Sequence, residues 1–397
     1  MPNRASIVIA GCLITAGFAL AMSSMAATAA AAGHQARPTA ESPGPPRFSP
    51  DGSGLPIASL NAISADGTLA VGADSISTFL NPLCGTDLSE RHGPSGFFAL
   101  KTPSPSCGWL DSVVKLPHGR AWAVGYLTTS KGANHTLTEF YNGSRWVIES
   151  SPSPTGDDFL DAVAVTKSGT VWAVGSNSSG SLIYQRTGSS WTREKTSLRI
   201  DLHAITVTPS GQVWAVGDEY NPDLFNIGTA IVHLTSSGWK QVPSPNPGQG
   251  NGSHLYGVAS GPHGALWAVG YYDDPNTGIP LSLTLHYVGG SWVRVRSTNP
   301  GKQADFLNAV AIGASGDAWA VGGYSGPRCE RNLVEHYAGG AWHVLAAPDK
   351  GSCPDGTNAF YGVAVSGGKV YAVGQAGINA LAEQYAAGKW TILHASN

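Results

Sequence analysis

Charge is scarce in this 397-residue chain. Asp, Glu, Lys and Arg together make up 12% of it, and the formal net charge is −3. So small and balanced a charge provides no broad basic field, which argues against nucleic acid as a partner. Cysteine (5) and methionine (3) are also few. No G-x-S-x-G elbow, H-E-x-x-H pair, phosphate loop or C-x-x-C occurs, so the chemistries that those motifs support have no foothold here. Past the first 25 residues no apolar run is long enough to span a bilayer.

What is abundant points to an all-β chain. Glycine (51), tryptophan (12) and tyrosine (13) are plentiful, a profile of many turns and many half-buried aromatic strands. The N-terminus reads as an export signal. "MPNR" is a short basic start, "ASIVIAGCLITAGFALAM" is apolar, and Ala27-Thr28-Ala29 fits a small-residue cleavage site, giving a signal peptide over 1–29. Two alternatives are a retained anchor and a lipoprotein attached through Cys12 of "IAGC". The Pro-rich stretch 30–53 reads as a linker. A secreted protein without a stable membrane span after cleavage, and a monomer, is the expectation.

From 54 to 397 one pattern recurs. "AWAVGY", "VWAVGS", "VWAVGD", "LWAVGY" and "AWAVGG" place Trp at 122, 172, 214, 267 and 319; Leu69 begins the series and Tyr371 ends it, with spacings of 53, 50, 42, 53, 52 and 52 residues. A period in this range marks a repeat architecture, not several unrelated domains. Each unit holds four short β-type runs, the last marked by Phe97, Trp146, Trp191, Trp239, Trp292, Trp342 or Trp390. Seven such units predict a seven-bladed β-propeller with four antiparallel strands per blade. A solenoid would need polar capping repeats, and the terminal units are neither shortened nor more charged. Within the motif, Ala and Val suit close approach of neighbouring sheets and Trp fills the wider gap, while Gly is expected to let the chain turn out of the second strand.

The third unit, "SGTVWAVGSNSSGSLIYQRTGSSW", resembles tectonin-type propeller repeats, which run G-x-V-W-A-V, then I-Y-x-R, then W. Only this unit keeps the middle portion, as Ile183-Tyr184-Gln185-Arg186, and "AVG" stands where tectonin repeats have "AVN". The Asp-box of sialidase-like propellers is approached by Ser168 to Trp172, without its Asp. What the tectonin resemblance implies is recognition of carbohydrate or of a surface.

Tight turns join strands one to two and three to four, which assigns the longer connections, and the functional face, to the opposite rim. Three second-to-third-strand segments there are rich in Tyr, Asp and Asn. They begin at Asp218, Tyr271 and Tyr324, and they offer Tyr220, Tyr271, Tyr272 and Tyr324 as ligand contacts. Aromatic faces stack on sugars, and carboxylates and amides take their hydroxyls. Asp273 and Asp274 are a candidate Ca²⁺ pair, the only cofactor considered, although they lack the ligand spacing of known calcium loops.

The first strand of each unit begins L-x-A/G-V/I, or a close variant, with x being Asn61, Asp111, Asp161, His203, Tyr256, Asn308 or Tyr361. These residues are expected to ring the channel mouth. They either bond the adjacent blade or form a site, in which Asp161, His203, Tyr256 and Tyr361 contact ligand and Asp111, Asp161 and His203 supply any acid/base chemistry. Cys84 and Cys329 lie in second-to-third-strand loops, and Cys107 and Cys353 lie in the connections that follow. Pairs Cys84–Cys107 and Cys329–Cys353 are therefore expected as disulfides. The leading functional expectation is a non-enzymatic propeller that binds a carbohydrate or a surface protein. The rival is a polysaccharide lyase or glycoside hydrolase.

Overall fold

Alternating Val, Ile, Trp and Tyr between Gly-containing turns commits each unit to β structure, and the apolar character of both faces requires each sheet to be covered on both sides. A computed structural model describes residues 56–76, 85–103, 107–221, 226–249, 252–326, 329–349 and 358–395. The expected signal peptide (1–29) and linker (30–53) lie outside the described residues. Seven four-stranded antiparallel sheets result, each built from four consecutive strands. In blade four, for example, the strands are Ile200–Val207, Val213–Asn221, Asn226–Thr235 and Gly238–Val242. The first strands of neighbouring blades touch one another all the way round, so the first strand of every blade is innermost. This is the seven-bladed β-propeller that the repeat predicts. Among the described residues no helix is long and apolar enough to cross a membrane.

Seven apolar clusters hold the ring, one at each boundary between blades. At four of these boundaries, from blade two to blade six, the motif Trp of one blade meets the outer-strand Trp of the next, edge to face. Trp122 and Trp191 lie 5.3 Å apart at 87°, and Trp267 and Trp342 lie 5.0 Å apart at 81°. Such pairs add about 0.5–1.5 kcal/mol each beyond the area they bury. The motif Trp is therefore scaffold.

The motif Gly has a different task from the one expected. It lies inside the second strand, not at its exit. In every blade a β-bulge interrupts the inner strand opposite this Gly: Leu202 pairs with Gly217, but the next pair is Ala204 with Val216, which leaves His203 as the extra residue. The bulged residues in blades one to seven are Asn61, Asp111, Asp161, His203, Tyr256, Asn308 and Tyr361. The bulge drives the carbonyl two residues earlier onto the motif Gly, where a Cβ would overlap it; Asp201 O over Gly217 and Trp109 O over Gly125 are two cases. Glycine is required here for space.

Ring closure needs no strand borrowed from the N-terminus. Pro56–Ile63, the first described strand, is the inner strand of blade one. Blade seven packs directly on blade one through Tyr371, Val373, Leu60 and Phe97. The chain end adds a clasp, because the Phe97 N–H donates to His394 O at 2.5 Å and Gly96 bridges His394 in parallel.

Candidate functional site

The bulge aims one residue per blade toward the axis, but half-way along the inner strand and not at its mouth. His203, Tyr256, Asn308 and Asp161 are buried, while Asn61, Asp111 and Tyr361 are half-buried. The two asparagines bond the adjacent blade. Asn61 Nδ2 donates to Leu110 O at 3.0 Å, and Asn308 Nδ2 donates to Phe360 O at 2.8 Å. Each ties a bulged residue to the carbonyl just before the bulge of the next blade, a repeated structural device.

His203 does something else. The carboxylate that holds it is Asp218, the residue after the motif Gly, with Nε2 and Oδ2 3.3 Å apart. Asp218 Oδ2 also takes His254 Nδ1 at 2.7 Å, and its Oδ1 accepts the Leu255 N–H at 3.1 Å. Burial alone would raise the Asp218 carboxyl. The His254 charge and the bonds from both imidazoles overcome this and hold it well below the usual carboxylate range. Burial likewise would lower His203, but its bond to Asp218, with the charges of Asp218, Asp161 and Asp201, raises it. Around these groups lie Tyr256, 5.3 Å from His203 between ring centres, and Tyr271, stacked on His254 at 4.5 Å and 24°. Asp273 completes the group. Burial pushes its carboxyl up to about 6, against a smaller opposing pull from His254.

The blades before these are aromatic at the equivalent positions. Trp109 and Tyr126 stack with ring planes 6° apart, and Phe159 meets Tyr126 edge-on at 5.0 Å. The long-loop end of the axis thus has an aromatic sector on blades two and three and an Asp/His/Tyr sector on blades four and five.

Asp111 and Asp161 sit on blades two and three as expected; Asp218 and His254 are bonded into the cluster with His203, on which Asp161 bears through its charge. Tyr271, Tyr272 and Tyr324 are strand residues, not loop residues, because the second and third strands pair beyond the motif Gly; Tyr271 faces Ser282, Tyr272 faces Leu281 and Tyr324 faces Arg331. Alternation along the strand then divides them. Tyr271 joins the axial cluster, whereas Tyr272 and Tyr324 turn into the packing between blades. The Tyr272 ring lies under the Arg294 guanidinium at 4.3 Å. The Tyr220 side chain lies outside the described residues. Tyr361 faces the axial side of blade seven, half-buried. In blades three and seven the second and third strands are joined by only two residues. The expectation of long loops therefore does not hold in those two blades.

Asp273 and Asp274 have different surroundings. Asp274 Oδ1 accepts the backbone N–H groups of Asn276 and Thr277 at 2.9 and 3.0 Å and closes its own turn, whereas Asp273 faces His254. Among the described residues no group of three His, Cys, Asp or Glu is arranged to hold a metal ion. Cys107 and Cys329 are each disulfide-bonded; Cys84 and Cys353 lie outside the described residues. A groove of about 460 Å³ lined by Glu149, Pro152, Ser190 and Trp191 lies by the outer strands of blades two and three, away from the axis.

No protein-family model matches the chain, and no curated protein does. Solved structures share its fold at low identity. A streptogramin B lyase superposes with a TM-score of 0.55 at 14% identity, covering 83% of this chain and 94% of its own. A protein from Lactobacillus plantarum gives 0.56 at 10%, covering 82% and 95%. YCF48 bound to D1 peptide gives 0.51 at 14%, covering 81% and 91%. At these identities the likeness shows the propeller fold alone.

Sequence reasoning missed Trp109, Tyr126, Phe159, Asp201, His254 and the role of Asp218. They occupy two repeat positions, two residues before the bulge and one after the motif Gly. Their chemistry changes from blade to blade there, and that variability is a signal the same alignment contains.

Proposed function

We propose that the protein is an exported β-propeller that binds a carbohydrate, free or on a surface partner, at the long-loop end of its axis. The observation that carries this reading is the pairing of two sectors. Tyr126 and Phe159 offer ring surface on blades two and three, and Asp201, His254, Tyr271 and Asp273 offer hydrogen-bonding groups on blades four and five, with Asp218 orienting His254. Aromatic faces beside carboxylates are the composition of a sugar site. Fold likeness does not choose the ligand, since one neighbour is named as a lyase and another holds a peptide. Export agrees with disulfide-bonded Cys107 and Cys329, which we pair with Cys84 and Cys353 respectively.

A glycan array probed with residues 30–397 tests this reading. Retention of a defined glycan class, lost in Tyr126→Ala and Phe159→Ala proteins that melt like the parent, supports it. Absence of any retained glycan, or retention that is indifferent to both substitutions, overturns it.

A second reading, an enzyme, is favoured by one feature: a buried carboxylate that orients an imidazole beside a second, protonatable carboxyl.

A further inference from the structure

Asp218 is buried, ionised and saturated with donors: the Leu255 N–H, the His254 Nδ1–H and His203 Nε2. The 2.7 Å bond fixes the proton of His254 on Nδ1, so the lone pair of a neutral ring lies on Nε2. That nitrogen faces the space beside Gly252. A Cβ on Gly252 would lie 3.4 Å from His254 Nε2 and 3.2 Å from Asp273 Oδ2. A basic nitrogen and a carboxyl therefore border the same small opening, kept clear by a residue without a side chain. Tyr271 stacks on the imidazole and holds its plane. An aspartate that orients an imidazole and stabilises its protonated form is the arrangement that makes histidine an effective general base.

We propose that His254 and Asp273 form the base and the acid of a glycoside-hydrolysing centre on blades four and five, an inference that rests on the carbohydrate reading above. The step balances without a further reactant. His254 Nε2 takes a proton from water as the water oxygen bonds to the anomeric carbon. The bond from that carbon to the glycosidic oxygen breaks with its electron pair on the oxygen, which takes the proton of Asp273. A hemiacetal and an alcohol leave, and solvent returns one proton to Asp273 and removes one from His254. Because a single displacement occurs, the anomeric configuration inverts. Asp218 is a positioning residue.

Charge narrows the substrate. The axial positions of the seven blades carry Asp111, Asp161, Asp201 and Asp218 but no Lys or Arg, so an anionic uronate is disfavoured. Neutral or amine-bearing glycans fit. The titratable groups around the pair are Asp218, His203, Asp201, Tyr256 and Tyr271 on blades four and five, with Asp161 of blade three acting on His203. Within the pair, burial raises Asp273 to about 6, so activity falls as pH rises through that value and the acid loses its proton.

The test uses residues 30–397 with cello-, xylo-, manno- and chito-oligosaccharides and with 2,4-dinitrophenyl glycosides of the same sugars. The parent protein is expected to release reducing ends with inversion, seen by NMR. Asp273→Asn, close to isosteric, should lower kcat on oligosaccharides by about 100-fold or more. On dinitrophenyl glycosides, whose leaving group needs no proton, it should stay within a few-fold of the parent. His254→Asn should fail on both, with folding checked by thermal melting. Turnover of none of these substrates overturns the proposal, whether or not the array shows binding. So does an Asp273→Asn protein equally impaired, or equally active, on both substrate types. Loss of array binding in the parent, by contrast, counts against the carbohydrate reading itself.

Discussion

The carbonyl oxygen of Asp201 sits directly over Gly217, in the space that a Cβ would need. The bulge at His203 places it there, and the same bulge turns His203 toward Asp218. Motif and site are therefore mechanically linked: the recurring Gly exists so that the inner strand can bulge, and the bulge presents the variable residue. Gly217→Ala forces either the carbonyl or the second strand to move. The expected cost is about 1–3 kcal/mol, as for other overpacked interiors. It is measured by urea unfolding, and an unchanged midpoint would show that the bulge does not dictate the glycine.

Glu139 is buried next to Asp87 of the preceding blade. Burial, and then the neighbouring Asp87 carboxylate, push its carboxyl up to about 9. A folded-state value above the unfolded one means that the folded protein holds the extra proton. The contribution is full below about 4.5 and is lost progressively as pH rises to about 9. Glu139→Gln keeps the shape and cannot ionise, so the melting temperature of that variant should fall less than the parent's between pH 6 and 9. Parallel curves would count against a protonated Glu139.

His286 stacks on Trp267 with ring centres 4.3 Å apart and planes 5° apart, and His233 repeats the contact on Trp214 at 4.2 Å. Burial lowers the pKa of both imidazoles below 6.5. The unfolded chain therefore binds the proton more readily, and the stability from these neutral stacks is present above 6.5 and is lost as pH falls below it. His286→Phe preserves the stack without the titration. Its unfolding midpoint between pH 7 and 5 should be flatter than the parent's, and an identical slope would reject this assignment.

The sequence announced the blades because every blade boundary makes the same demand. Trp172 must meet Trp239 much as Trp122 meets Trp191, and identical packing problems leave identical residues. The inner-strand series from Asn61 to Tyr361 was visible for the complementary reason, as polar residues recurring on an apolar strand. Its meaning was harder to read. A bulge inserts one residue and changes which face the following side chains occupy, so period-two reasoning cannot place His203 beside Asp218. The tyrosines were misplaced for a related reason: strands that continue past the motif Gly into polar sequence look like loops. His254 and Asp218 come together only across blades four and five, and contact between blades has no local signature.

Cys107 and Cys329 are both buried and both disulfide-bonded, each immediately before a strand: the inner strand of blade two and the third strand of blade six. Pairing with Cys84 and Cys353 joins sites 23 and 24 residues apart in sequence. Each bond would then clamp a second-to-third-strand connection to the chain leading into the next blade, at the rim where the proposed ligand docks. A closed loop of that length restricts the unfolded chain by about 3 kcal/mol in the chain-entropy account. Cys107→Ser and Cys329→Ser should therefore each lower stability by about 2–4 kcal/mol, and because blades two and six are not neighbours the two effects should add. Peptide mapping of the oxidised protein checks the connectivity first. A fragment linking Cys107 to Cys329, or a double variant no less stable than either single one, would overturn the assignment.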